Sequence, residues 1–203
     1  AFGATISEGS VAATDLTTIV GQTSANINAT AATTITGTAS AVEAAISHAQ
    51  VNHDTNFLVT LTADSTAAAA DLKTINTATS GIITATGVAT ITGSASDVTD
   101  VLAVETSQGN AGQQIDLDTN FNVTISDTGN VSALTLTNID DDTPGIVTVT
   151  NTVTLTGTAA QIRLAAQRDS AGTLALAAAF GATISEGSVA ATDLTTIVGQ
   201  TSA

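Results

Sequence analysis

The sequence has no cysteine, methionine, tryptophan or tyrosine, and only one proline and four phenylalanines in 203 residues. Without cysteine there is no disulfide and no thiolate metal site. With so few aromatics, a core has to be filled without the large side chains that normally occupy irregular gaps. Positive charge is as scarce. Three Lys plus Arg stand against 18 Asp plus Glu, giving a formal net charge of −15 and a pI near 4.1. Nucleic-acid binding, which needs a basic surface to release counterions, is argued against, and so is an anionic membrane surface. No apolar run approaches the roughly 18 residues of a membrane-spanning helix. No signal peptide and no initiator Met open the chain, which starts in mid-pattern.

What is present is small, branched and repetitive. Hydrophobic residues make up 43%, almost all of them Ala, Val, Ile and Leu, and 41 residues are Thr. Thr shares the χ1 stiffness that suits Val and Ile to strands, so the composition predicts thin, regular β layers. Residues 1–25, AFGATISEGSVAATDLTTIVGQTSA, recur without a substitution as residues 179–203, an offset of 178. A 25-residue identity does not arise by chance. The expectation is one full 178-residue repeat plus the start of the next, cut from a longer tandem array.

A blurred repeat of about 60 residues lies inside the long one. The segment ITGTASAV at Ile35 returns as ITGSASDV at Ile91 and LTGTAAQI at Leu155. Ahead of each lies Leu-x-x-Ile, at Leu16/Ile19, Leu72/Ile75 and Leu136/Ile139, and ahead of that a Phe segment, at Phe57, Phe121 and Phe180. The modules run approximately 1–56, 57–120, 121–179 and 180–203, as one continuous array.

Each module reads as strand, corner, long strand, short helix. Phe57, Val59 and Leu61 alternate with Thr60 and Thr62, the period-two mark of a half-buried strand. Phe121, Val123 and Ile125 repeat the pattern, as do Phe180, Ala182 and Ile184. Asp64, Asp127 or Glu186 closes each strand. The Leu-x-x-Ile segment is expected to be a single helical turn or tight corner. The next apolar face is Ile27, Ala29, Ala31 and Ile35 in copy one, Ile83, Ala85, Ala89 and Ile91 in copy two, and Val147, Val149, Val153 and Leu155 in copy three. A strand of about ten residues exceeds the usual length, so Gly87 and Asn151 are expected to mark a bend. Thr38, Ser94 and Thr158 are natural N-caps for the helix that follows, and Ser40 with Glu43 fits a capping box.

A strand that returns through a helix lies parallel to its predecessor. The predicted fold is therefore mainly β: a parallel β-solenoid with short helices at the corners and about 30 residues per coil, each coil covering its neighbour's apolar face. Tandem β-sandwich domains are the alternative.

Few residues suggest chemistry. His48 and His53 are the only histidines, and the positions matching His53 hold Leu117 and Leu176, so proton transfer is not what the position is kept for. No GxSxG elbow appears, and no enzyme is predicted. Acidic turns are the one candidate site: Asp54, Asp116, Asp118 and the run Asp140, Asp141, Asp142 supply the hard oxygen donors that Ca²⁺ takes on flexible loops. Calcium is the only cofactor these residues suggest, and solvated Asx turns are the plainer reading. The rows Thr148, Thr150, Thr152, Thr154, Thr156 and Thr84, Thr86, Thr90, Thr92 also resemble ice-binding faces.

The run from Asp71-Leu72-Lys73-Thr74-Ile75 through Thr79-Ser80-Gly81 to Thr92-Gly93-Ser94-Ala95-Ser96-Asp97-Val98 resembles repeats of very large secreted bacterial proteins, adhesin-like and RTX-associated. The resemblance implies export, surface display and a filamentous or adhesive role, and it brings no catalytic residues. The expected function is a structural segment of an extracellular filament, sheath or surface fibre, with self-association or continuation of the same repeat end to end. The alternative is an adhesin stalk or a solenoid that binds a ligand, calcium or ice.

Overall fold

A computed structural model of the chain describes residues 2–62, 65–105, 114–177 and 179–201; the strand-closing Asp64 lies outside them. In chain order the elements are β1 (Ala4–Thr5), β2 (Ser10–Ala12), α1 (Ala13–Val20), β3 (Ile27–Asn28), β4 (Thr34–Gly37) and α2 (Ala39–Ile46). Next come β5 (Val51–Asn52), β6 (Leu58–Leu61), β7 (Thr66–Ala68), α3 (Ala69–Ala78), β8 (Ile83–Ala85), β9 (Thr90–Gly93) and α4 (Ala95–Leu102). Then follow β10 (Ile115–Leu117), β11 (Asn122–Ile125), β12 (Gly129–Ser132), α5 (Ala133–Asp142), β13 (Val147–Val149), β14 (Val153–Gly157) and α6 (Ala159–Ala171). The last are β15 (Leu174–Ala175), β16 (Gly181–Ile184) and α7 (Ala191–Val198).

The mainly-β expectation is overturned. The fold is α/β, 34% helical and 29% strand, with parallel sheets alternating with helices, and it is not a mainly-β solenoid. The error lies in the Leu-x-x-Ile segments, which are full helices of eight to ten residues, α1, α3 and α5, rather than corners. Most of their threonines do not oppose the helix, because the hydroxyls of Thr17, Thr18, Thr74, Thr77 and Thr137 each find a carbonyl three or four residues back. Thr18 donates to Thr14 O at 2.7 Å, Thr74 to Ala70 O at 3.0 Å and Thr77 to Lys73 O at 2.9 Å. The β-sandwich alternative fails as well, since the paired strands among the described residues run parallel.

The chain divides into two compact units, Ala1–Ala89 with Ala103–Thr119, and Thr90–Leu102 with Asn120–Ala203. The first holds the sheets β1-β3-β5 and β10-β8-β6-β4-β2. Thr34 lies opposite Leu58, 24 residues further on, and α1 packs on α2 and α2 on α3. Register places like over like: Val11, Ile35, Val59, Ile83 and Ile115 form one buried ladder. The second unit holds β9, β11, β13 and β15 in one sheet and β12, β14 and β16 in another, with α4, α5, α6 and α7 packed in succession. Its ladder is Ile91, Val123, Val147 and Leu174. Each fully buried Val, Leu or Ile is worth roughly 1.5–3 kcal/mol, and a register that repeats multiplies that gain.

The long strand is broken where expected, at Gly87 and Asn151, but more completely than a bend. It becomes two strands joined by a turn, with Ala32 N–H donating to Ala29 O at 3.0 Å and Val88 N–H to Ala85 O at 2.9 Å. The turn shifts the alternation by one residue, so Ala32 and Val88 are buried where Ala31 and Ala89 were expected. The helices after ITG form as read. Thr38 accepts from Ala41 N–H, Ser94 from Asp97 N–H and Thr158 from Gln161 N–H. The capping box is Thr158 with Gln161. The Ser40–Glu43 box does not form: Ser40 is already inside α2, and Glu43 accepts from the Ser47 hydroxyl at 2.9 Å.

Close backbone approach fixes two glycines. A Cβ on Gly81 would lie 2.2 Å from Phe57 O, and one on Gly145 2.4 Å from Phe121 O. Gly81→Ala forces the two backbones apart and is expected to cost about 2 kcal/mol, in the range of overpacking strain. Urea unfolding checks it, and a midpoint unchanged from wild type would contradict this close packing.

Candidate assembly surface

The identical segments at residues 1–25 and 179–203 sit in different surroundings, and the comparison separates local from tertiary effects. The helix is the same in both. Each forms an eight-residue helix with an extended alanine at the N-cap and an αR glycine, Gly21 or Gly199, at the C-cap. Pairing differs. In the first copy β1 and β2 pair with the later strands β3 and β4. In the second copy β16 pairs with the earlier strand β14, Leu155 opposite Ala182, while residues 188–190, the counterparts of β2, form no strand.

Burial follows pairing. The first copy buries Val11, Ala13 and Leu16 and leaves Phe2 61% exposed. The second buries Phe180 and Ile197 and leaves Leu194 40% exposed, although Phe180 matches Phe2 and Leu194 matches Leu16. The polar residues differ in their partners, although Glu186 is itself exposed. Glu186 Oε1 accepts from Ala159 N–H at 2.7 Å, at the N-terminus of α6, where a carboxylate also meets the positive end of the helix dipole. Asp193 Oδ1 lies 2.7 Å from Arg163 Nε, held by charge rather than by an aligned hydrogen bond. Gln200 donates to the Ser170 hydroxyl. Their counterparts Glu8, Asp15 and Gln22 are exposed. Each copy thus covers the face that the other leaves open.

The capping carboxylate is a role that the sequence did not reveal. Asp127 plays it too, with Oδ2 accepting from Ala95 N–H at 2.6 Å at the start of α4. The strand-closing acid of one module therefore caps the helix of the module before it. The recurrence of an acid after each Phe strand was the available signal. Asp127 also lines a cleft of about 320 Å³ with Ser96, Asp100 and Asn130.

The calcium candidates are not brought together. Among the described residues no three His, Cys, Asp or Glu side chains are grouped to hold a metal. Asp140 and Asp141 instead grip Arg168, whose Nη1 lies 2.8 Å from Asp140 Oδ2 and Nη2 2.7 Å from Asp141 Oδ1. Arg168 also donates to Thr137 O at 2.8 Å, and Thr173 Oγ1 to Asp140 Oδ2 at 3.1 Å. Burial works against the charged guanidinium, but the hydrogen bonds and charges of Asp140 and Asp141 outweigh it and hold its pKa above the ordinary arginine value. A raised folded pKa on a cation stabilises fully below the unfolded value and is lost only above it, so this cation stays charged across all ordinary pH. Asp142 is exposed at the end of α5, Asp54 is exposed in a turn, Asp116 lies in β10 opposite Thr84, and Asp118 follows that strand.

His53 packs its ring edge-on against Phe57, centroids 4.9 Å apart, with Nε2 3.2 Å from Ile46 O. His48 is half-buried, and its Nδ1 accepts from Gln50 N–H at 3.3 Å. His53→Leu, which installs the residue found at the matching positions, is expected to leave the free energy of unfolding in urea within about 1 kcal/mol of wild type, as for a volume-conserving swap. The threonines form ladders three residues deep, Thr36-Thr60-Thr84 in one unit and Thr92-Thr124-Thr148 in the other. All six are half-buried, and Thr86, Thr150 and Thr152 fall in the turns between strands.

The fold thus places the chain in the class of α/β proteins with parallel sheets. No family model, no curated protein and no solved structure matches it. No helix among the described residues is long and apolar enough to cross a membrane.

Proposed function

We propose that the chain is a structural repeat segment of an extracellular filament, sheath or surface fibre, lengthened by adding 178-residue units, each of which covers the open face of the last. The observation that carries this reading is the 25-residue identity whose two copies bury opposite faces. In a continued array every such segment would be covered on both sides, as repeat proteins require of interior repeats. The net charge of −15 supports it, since self-repulsion between long chains keeps a secreted polymer soluble. The reading assigns no catalytic residue.

Electron microscopy of native material, with antibody labelling of intact cells, tests the proposal. Fibres of constant width with a regular axial repeat, labelled outside the cell, are the expected result. Dispersed single particles inside the cell would overturn it.

A further inference from the structure

We propose that Asn130 is an N-glycosylation site whose first sugar residue lies in the cleft between α4 and α5. The inference rests on the extracellular reading of the chain. An acceptor sequence and a polar cleft of suitable size meet at this one residue.

The acceptor triplet Asn-x-Ser/Thr occurs at Asn28, Asn122 and Asn130. Such triplets arise easily where Thr is abundant, so the structure has to discriminate among them. Asn122 is half-buried, and its Oδ1 accepts from Ile146 N–H at 2.8 Å. Asn28 is exposed, but its side chain is folded back on Thr30, with Oδ1 accepting from Thr30 N–H at 3.2 Å and from the Thr30 hydroxyl at 2.9 Å. Asn130 is exposed on β12 and lines the cleft of about 320 Å³. Residues i and i+2 of a strand share a face, and Ser132, the hydroxyl residue of the same triplet, lines the cleft as well.

The cleft has a cause in the sequence. Helices α4 and α6 both follow a Thr-Gly segment, and α5 and α7 are both Leu-x-x-Ile helices. Counted from the first helical residue, Thr99 matches Arg163 and Thr135 matches Asp193. Arg163 and Asp193 approach to 2.7 Å and close this place between α6 and α7. Two threonines are too short to meet, and the space between α4 and α5 stays open. Its walls carry the hydroxyls of Ser96, Thr99 and Thr135 and the carboxylates of Asp100 and Asp127. A sugar ring is an uncharged array of hydroxyls. Carboxylates accept from such hydroxyls, while Ser and Thr both donate and accept. The volume lies at the small end of ligand sites, room for one ring with the rest of the glycan in solvent.

Attachment needs a sugar activated as a glycosyl diphosphate and a transferase outside this chain. The Asn130 Nδ2 attacks the sugar C1. The Nδ2–C1 bond forms as the bond from C1 to the diphosphate oxygen breaks, and the diphosphate leaves with that electron pair. Nδ2 gives up one proton to a base of the transferase.

Mass spectrometry of native material tests the attachment. Cleavage ahead of Asp127 and Asp140 releases the peptide 127–139, and electron-transfer fragmentation locates any added mass within it. A glycan on Asn130 in most copies is the expected result. An unmodified Asn130, or a glycan on Asn122 in its place, overturns the proposal. Antibody labelling of intact cells keeps the two readings apart, because labelled surface material with a bare Asn130 sinks this inference and leaves the proposed function standing. Hydrogen exchange tests the seating of the sugar. The chain is secreted, with and without Asn130→Gln, from a host that glycosylates such triplets. Exchange across residues 95–100 and 130–135 is expected to be at least about threefold slower in the glycosylated chain. Equal rates would place the sugar outside the cleft and overturn the proposal.

Discussion

Phe57→Ala is expected to destabilise the first unit by about 4 kcal/mol, whereas Phe2→Ala is expected to change its stability by less than about 0.5 kcal/mol. Both residues open the same kind of module. Phe57 is 1% exposed, stacks edge-on with His53 and has its carbonyl engaged by the Thr79 hydroxyl at 2.5 Å. Phe57 is the one phenylalanine buried in the first unit, so its removal leaves a cavity that Ala, Val and Ile neighbours have no long side chain to refill. Phe2 is 61% exposed and has little to lose. Urea unfolding of the two variants measures the difference. Equal losses would show that Phe2 is covered in solution. Phe180→Ala is the informative intermediate, because its local sequence is that of Phe2 and its burial that of Phe57. Its cost is expected to appear as faster hydrogen exchange across α7, at the edge of the second unit, rather than as global unfolding.

Arg168→Ala is expected to cost about 3 kcal/mol, because it strands a carboxylate rather than because it removes a surface pair. The Asp140 side chain is 5% exposed, its Oδ1 already lacks a hydrogen-bond partner, and without Arg168 only the Thr173 hydroxyl remains on Oδ2. Asp141 is 62% exposed on the same guanidinium, so Asp141→Asn is expected to cost no more than about 0.5 kcal/mol. Denaturation of both variants separates the two contributions. If Arg168→Ala proves as mild as Asp141→Asn, the pair is solvated and the packing of α5 on α6 does not depend on it. Adding Asp140→Leu to Arg168→Ala should recover much of the loss, since an apolar substitute needs no partner.

Together these contacts show how such a chain is held. Apolar ladders in register supply most of the stability, while a few polar contacts join successive helical layers: carboxylates on helix N-termini and Arg163 with Asp193 between modules, and Arg168 with Asp140 between α6 and α5 of one module. The acidity that sequence reading associates with cation binding is partly spent on these internal tasks. Asp127 and Glu186 serve as caps, and Asp140 and Asp141 neutralise an arginine.

Much of the module was legible in the sequence because its signals are local. The Phe strands alternate with period two and bury the predicted faces at Phe57, Val59 and Leu61 and at Phe121, Val123 and Ile125. Thr38, Ser94 and Thr158 cap the helices they precede. The Leu-x-x-Ile helices were not legible. Thr is poor in helices by propensity, and nothing local reveals that Thr18, Thr74 and Thr77 will return their hydroxyls to the preceding turn while Leu16, Leu72 and Leu136 are buried beneath them. The partner of Arg168, 28 residues away at Asp140, was equally out of reach.

The sequence alone determined the 178-residue period, the parallel arrangement of returning strands and the type of most elements, because each depends on residues near one another along the chain. Tertiary structure decided the rest: that the class is α/β, which acids cap and which pair, and whether a given Phe or Leu is covered. The duplicated segment gives the reason. The same 25 residues adopt the same helix in both places, yet opposite faces are buried, because burial is set by the element that packs alongside and not by the residues being packed.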